Sequence, residues 1–261
     1  MEKISIIKIG GNIIDNEANL ASFLNAYAAV EGKKILIHGG GKLATKMAAD
    51  LNIPQQMVDG RRITDAATLK IVTMVYAGYI NKNIVAALQS KNIQALGICG
   101  ADANIIRAHK RINASTDYGF VGDIDAVDSE KIIQLLEAGL SLVIAPITHD
   151  GAGQLLNTNA DTMAQAIATA ISSMYEVSLV YSFEKKGVLS DIQNNDSVIP
   201  VINPENYTSL KVSGQVNEGM IPKLDNAFEA LQKGVGRVLI GDALDIEKLI
   251  AGKTGTTILK N

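Results

Sequence analysis

The chain has 261 residues, 47% of them hydrophobic, with Trp absent and aromatics at 4%, so Leu, Ile, Val and Ala must fill its core. A formal net charge of −3 argues against a nucleic-acid partner, which would call for a basic stripe. The single Cys99 excludes an internal disulfide and fits a reducing, cytoplasmic setting, and the pattern predicts neither a signal peptide nor a membrane span.

In chain order, Ile4–Ile9 predicts a buried strand ending in Gly10-Gly11. Glu17–Val30 then carries apolar residues at helical spacing, and Lys34–Ile37 predicts a second strand, ending in Gly39-Gly40-Gly41. Helices follow over Leu43–Leu51 and Ala66–Leu88, and a strand over Ala95–Cys99. Ala103–Ile112 and Phe120–Val127 read as a β-hairpin about the polar turn Asn113–Gly119. Asp128–Ala138 returns to helix, Leu142–Ile147 to strand, and Asp161–Ser172 to helix after a polar turn. From about residue 175 the rhythm restarts: strands at Val177–Ser182 and Arg237–Ile240, a helix at Leu224–Gln232, and a surface loop at Asp191–Ser197. The alternation predicts an α/β fold, a three-layer αβα sandwich with a mostly parallel central sheet.

Two strand ends pass through glycine directly into helices, at Lys8-Ile9-Gly10-Gly11 and at His38-Gly39-Gly40-Gly41. Glycine lets backbone N–H groups approach a ligand, and a helix N-terminus adds donors with positive partial charge, so both loops suit a phosphate. Either could equally be a tight turn; two of them, one carrying Lys8, favour phosphate. The familiar nucleotide fingerprints are missing: Glu247 stands where a P-loop ending in Gly252-Lys253-Thr254 needs glycine. Asn157-Thr158-Asn159-Ala160-Asp161 is either a helix cap or a polar platform for substrate, and Lys223 follows a turn into a helix. His38, His109 and His149 lie far apart, with no carboxylate or cysteine at metal-ligand spacing, so no zinc site is predicted.

Taken in order, six segments resemble the amino acid kinase family over essentially the whole chain. They are Ile7-Lys8-Ile9-Gly10-Gly11, Ile37-His38-Gly39-Gly40-Gly41, Asp59-Gly60-Arg61-Arg62-Ile63-Thr64, Asn157-Thr158-Asn159-Ala160-Asp161, Gly219-Met220-Ile221-Pro222-Lys223 and Gly255-Thr256-Thr257-Ile258. Within the family, the glycine triplet with Gly-x-Arg-x-Thr points to the branch acting on N-acylated glutamate. The resemblance implies phosphorylation of the side-chain carboxylate of N-acetyl-L-glutamate or N-succinyl-L-glutamate by ATP with Mg²⁺, a step of arginine biosynthesis. Other small-carboxylate or carbamate kinases and a non-catalytic sensor are the alternatives.

The resemblance also implies roles. Lys8 and Lys223 would stabilise the transferring phosphoryl group, with Asp161 positioning both. Gly10 and Gly11 would meet the ATP phosphates, and Gly40 and Gly41 the reacting end of the substrate. Arg62 and Asn157 would bind its α-carboxylate. Residues 1–174 would form the half that binds the acyl-amino acid and 175–261 the half that binds ATP. Arginine-inhibited members carry an additional N-terminal helix that links dimers; the first strand here begins at about Lys3, which implies a homodimer. Three residues depart from the family pattern: Phe183 where an Asp is usual, Glu218 in place of a glycine, and Arg61 in place of an apolar residue. If Arg61 faced the acyl pocket, a succinyl carboxylate would suit it better than a methyl group.

Overall fold

The computed structural model describes residues 1–58, 61–113, 115–213, 216 and 220–260, Pro222 by its backbone alone. Expectations attached to Asp59, Gly60, Glu218 and Gly219 lie outside the described residues. The chain folds as two compact units, one of Met1–Ile35 with Ile167–Asn261 and one of Leu36–Ala166. The ligand-binding halves expected at 1–174 and 175–261 are a division by function; the units are a division by packing.

Unit 1 opens with β1 (Glu2–Ile9), a single turn α1 (Gly11–Ile14), α2 (Glu17–Ala29) and β2 (Lys33–Ile37), whose last two residues belong to unit 2. Unit 2 continues with α3 (Gly41–Asp50), β3 (Gln56–Val58), β4 (Arg61–Ile63), α4 (Ala66–Thr73), a π-helical segment Met74–Ile80, α5 (Asn81–Gln89) and β5 (Ala95–Cys99). Then come β6 (Ile106–Lys110), β7 (Gly122–Val127), α6 (Ser129–Glu137), β8 (Ser141–Ala145), β9 (Ile147–His149), β10 (Leu155–Asn157) and the first half of α7 (Ala160–Ile171). Unit 1 resumes with β11 (Tyr175–Phe183), β12 (Val201–Ile202), α8 (Pro204–Val212), α9 (Ile221–Gln232), β13 (Arg237–Asp242), α10 (Ile246–Ile250) and β14 (Thr256–Ile258).

In unit 1 the strands lie in the order β12-β14-β13-β11-β1. β1 with β11, and β11 with β13, are parallel; β14 runs antiparallel to β13. These strands read as nearly unbroken apolar runs because both their faces are covered. Ile4, Ile6, Ile7, Ile9, Leu179, Val180, Val238, Leu239 and Ile240 are all buried. In unit 2, β5 pairs with β8 in parallel, and a second sheet runs β10-β9-β6-β7. The result is the predicted α/β class, a mixed and mostly parallel central sheet flanked by helices.

The helix expected at Ala66–Leu88 forms as one run, Ala66–Gln89, but a π-helical segment interrupts it. That run is long and apolar enough by length and composition to cross a bilayer. Its apolar side chains instead enter the core of unit 2: Ile71, Val72, Val75, Ile80, Ile84 and Leu88 are buried. The expected hairpin is β6–β7, antiparallel with an irregularity at Arg107/Ala108. Its first strand is shorter than predicted because Ala103 (φ 50°) and Asn104 (φ 57°) take left-handed conformations, which end extended structure. The strands β3, β4, β9, β10, β12 and β14 were not predicted; none exceeds three residues, too short for a period to register.

A buried lysine closes the end of α2. Lys34 Nζ donates to the carbonyls of Tyr27 (2.8 Å), Ala28 (3.1 Å) and Val30 (2.5 Å) at the end of the helix, where carbonyls run short of intrahelical donors; Tyr27 O also accepts from Val30 N–H at 3.2 Å. Its ammonium lies 4.9 Å from the centroid of the Tyr27 ring. Burial pulls its pKa down to about 8, while the carbonyls favour the charged form. Lys34→Met keeps the apolar stem and removes the ammonium donor shared by the three carbonyls. We expect urea unfolding to show a loss of about 3 kcal/mol, the usual scale for a buried charged donor; a loss below about 1 kcal/mol would mean that water substitutes for the ammonium.

Candidate active site

Unit 1 brings Lys8, Gly10, Gly11 and Lys223 to one end of its strands. The parallel register sets Lys8 opposite Tyr181, so their side chains share a face of the sheet. Beyond the last pair, Gly10 N–H donates to Ser182 O at 2.8 Å, and the Ser182 hydroxyl donates to Lys8 O at 3.1 Å. A Cβ on Gly10 would stand 3.2 Å from Phe183 Cβ. The Phe183 departure therefore packs against the glycine loop, and a side chain at 10 would crowd it. Gly10 is also the cap of α1, and no side chain caps that turn. Asn12 Nδ2 donates to the Glu184 carboxylate, joining α1 to the end of β11. Lys223 is the third residue of α9, and its ammonium lies 5.7 Å from the centroid of the Tyr181 ring.

Unit 2 joins Gly41, Arg62 and Asn157 through side-chain hydrogen bonds, and Gly40 precedes Gly41 at the start of α3. Gly40 has φ +146°, and a Cβ there would overlap the Ile80 methyl and press on Tyr76, both in the π-helical segment. Only glycine meets both demands. Gly40 caps the ten-residue α3 and, as a glycine, offers its first turn no side-chain acceptor. Arg62 Nη2 donates to Gly41 O (2.8 Å) and to Thr45 Oγ1 (2.9 Å), and Nη1 donates to Gln55 Oε1. Asn157 Nδ2 donates to Thr64 Oγ1 at 3.0 Å, and that hydroxyl donates to Arg62 O at 3.2 Å. Arg62 and Asn157 are thus the two ends of one relay through a buried threonine. Asn159, not Asp161, caps α7, accepting from Thr162 N–H at 3.0 Å. Asp161 stands in the first turn of that helix, a position where the helix dipole favours a carboxylate.

Arg61 does not join this group. Successive strand residues face opposite ways, so Arg62 turns toward α3 and Arg61 away from it, where it is exposed. The Asp123 carboxyl is held below the usual range chiefly by its hydrogen bond from Arg111, and the charge of Arg61 adds to that effect. Arg61 thus lies apart from the hydrogen-bonded chain of Arg62, Thr64 and Asn157.

Sequence reasoning missed Thr64, Tyr181 and the pair behind the glycine triplet, His38 and Asn81. His38 is fully buried; its Nδ1 pairs with Gly39 O at 2.9 Å, and its Nε2 with Asn81 Nδ2 at 3.2 Å. Because an amide nitrogen donates only, Nε2 accepts, the proton sits on Nδ1, and the ring is neutral. Asn81 also donates to Val143 O at 2.9 Å. The signal for His38 was its place beside the glycines; nothing local marked Asn81, 43 residues away.

A profile of the amino acid kinase family matches residues 3–242. The acetylglutamate kinase of Cytophaga hutchinsonii is 55% identical over 100% of both chains, and that of Bacteroides fragilis is 54% identical over 92% of both. Among solved structures, the protein smu.665 from Streptococcus mutans UA159 is 26% identical, with a TM-score of 0.79 over 99% of both chains.

The buried imidazole generates a pH prediction. Burial lowers the pKa of His38 to about 4, against about 6.5 for a free imidazole. Between those values the unfolded chain binds more protons than the folded one, so this contribution is intact above about pH 6.5 and is lost as pH falls toward 4. By about pH 4.5 the loss should reach roughly 2 kcal/mol. Urea midpoints near neutrality and at about pH 4.5 should therefore lie closer together in His38→Gln than in the parental protein; equal separation in both would mean that His38 titrates normally.

Proposed function

The chain belongs to the amino acid kinase family, and from that premise we propose that it transfers the γ-phosphoryl group of Mg-ATP to the side-chain carboxylate of N-acetyl-L-glutamate, a step of arginine biosynthesis. The observation that carries this reading is the full-length likeness to acetylglutamate kinases. A glutamyl carboxylate, with a pKa of about 4.3, is already ionised at neutral pH, so no general base is required. One of its oxygens attacks the γ-phosphorus as the bond to the β–γ bridging oxygen breaks, giving the acyl phosphate and ADP. The protein's part is positioning and charge stabilisation. Among the described residues no group of three or more His, Cys, Asp or Glu could hold a metal ion. Mg²⁺ would enter as part of the nucleotide substrate, carried on phosphate oxygens and water.

In this reading Gly10 and Gly11 present backbone N–H groups to the ATP phosphates, and Lys8 and Lys223 hold charge that builds on the transferring group. Gly40 and Gly41 receive the reacting carboxylate. Arg62 and Asn157 take the α-carboxylate, and the Thr64 relay between them supports that pairing. Asp161 is assigned its positioning role from the family resemblance alone. A non-catalytic sensor would need neither lysine, and both are present. The buried thiol of Cys99 fits a cytosolic enzyme.

Coupled ADP-release assays test the reading. N-acetyl-L-glutamate should be the best acceptor, ahead of N-succinyl-L-glutamate, glutamate and aspartate. Lys8→Ala and Lys223→Ala should each lower kcat by roughly 10²-fold or more, with smaller changes in ATP affinity. Near-parental kcat in both variants would remove the assigned roles.

A homodimer is the assembly this reading favours. Met57, Met74 and Tyr79 are exposed on unit 2, the last two in the π-helical segment, and a second copy would cover them. Sedimentation should give about twice the chain mass, and Tyr79→Glu should shift it toward monomer; a parental monomer at micromolar concentration would overturn the proposal.

A further inference from the structure

We infer that Lys82, Asn81 and His38 are positioning residues for the phosphoryl transfer, a relay of hydrogen bonds that fixes the Gly39–Gly40 peptide and so the direction in which Gly40 N–H meets the reacting carboxylate. The inference rests on the proposed function and deepens it.

The relay lies wholly within unit 2, and each link assigns the next. Lys82 Nζ donates to Gly97 O at 2.6 Å and to Asn81 Oδ1 at 3.1 Å. An ammonium donates and never accepts, so this contact identifies the amide oxygen. The amide nitrogen then faces two acceptors, Val143 O at 2.9 Å and His38 Nε2 at 3.2 Å. With Nε2 accepting, the imidazole proton sits on Nδ1 and is donated to Gly39 O at 2.9 Å. The donors run one way, from an exposed cation to a peptide carbonyl, so each bond polarises the next. His38 and Asn81 are both fully buried, which shields the middle links from competing water.

The need for such a hold follows from the glycines. A peptide flanked by two glycines meets few steric barriers, so its plane turns over more readily than most. Gly40 cannot be replaced to stiffen it, because φ +146° and the Ile80 methyl exclude a side chain. Among the described residues no peptide bond is cis, and across a trans bond C=O and N–H point opposite ways. Anchoring Gly39 O on the imidazole therefore turns Gly40 N–H away from His38. A flipped plane would set N–H against N–H at the ring and present a carbonyl oxygen to the carboxylate, which it repels.

Substitutions separate the donor from the bulk of the ring. His38→Leu removes the donor, whereas His38→Asn supplies an amide nitrogen at the same remove from the backbone as Nδ1. In His38→Leu, kcat/KM for N-acetyl-L-glutamate should fall roughly tenfold or more, with the KM for ATP within about twofold. His38→Asn should recover most of that loss; a loss equal to that of His38→Leu would reduce His38 to a packing residue and overturn the inference. Lys82→Met, at an exposed position, should fold like the parental protein and lose about threefold in kcat/KM. Independently of activity, imidazole ¹⁵N spectra of the parental protein should place the His38 proton on Nδ1. N-acetyl-L-glutamate should move the Gly40 amide proton downfield, and by less in Lys82→Met. If His38→Leu fails to fold, Lys82→Met and the spectra decide. Parental kcat/KM in Lys82→Met with an unchanged Gly40 response, or a His38 proton on Nε2, would overturn this inference alone. A parental protein that releases no ADP with any N-acylglutamate would overturn the functional reading and this one with it.

Discussion

The placing of Lys8 and of the first glycine loop in unit 1 depends on one parallel strand pairing, β1 against β11. That pairing sets Lys8 beside Tyr181, brings Gly10 N–H onto Ser182 O, and lays Phe183 against the bare face of Gly10. A slip of one residue would turn Lys8 to the other face and bring an isoleucine into its place. The register resists such a slip because Ile4, Ile6, Ile7 and Ile9 are all buried. Hydrophobic packing thus fixes the position of a charged side chain that contributes nothing to the core.

Unit 2 solves a different problem, fixing a set of polar side chains in one place. Its means are hydrogen bonds of low individual energy that share members. Arg62 is tied to Gly41, Thr45 and Gln55, and through its own carbonyl to Thr64 and Asn157. A guanidinium held from several sides loses little freedom on binding a carboxylate, which is the practical meaning of preorganisation. The same device appears behind the glycine triplet, where a neutral, buried His38 is held between Gly39 and Asn81.

Legibility in the sequence followed range. Ile4–Ile9 and Lys34–Ile37 were readable as strands because a buried parallel strand is a local apolar run, and the glycines after them were readable as turns. The roles of Lys8, Lys223, Arg62 and Asn157 came from resemblance; no spacing within the chain indicates that Asn157 and Arg62 are joined through Thr64. Tyr181 read as one more apolar residue in a strand, since nothing local shows that its ring lies 5.7 Å from an ammonium 42 positions further on. The π-helical segment was invisible for the same reason. Its apolar residues continue a helical pattern, and nothing local marks the close approach of Tyr76 and Ile80 to Gly40.

Asn81 has a consequence for how this protein can change over generations. Its side chain lies directly over Gly97, where any Cβ would overlap the Asn81 amide oxygen and crowd Val85. Enlarging Gly97 alone displaces the amide that holds His38, while shortening Asn81 alone leaves that imidazole and Val143 O without their partner. Neither single step is tolerable, although a joint replacement of positions 38, 81 and 97 by apolar groups of matched volume is physically reasonable. These three positions, spread over 60 residues of chain, should therefore drift together or not at all, a case of epistasis created by one missing methyl group.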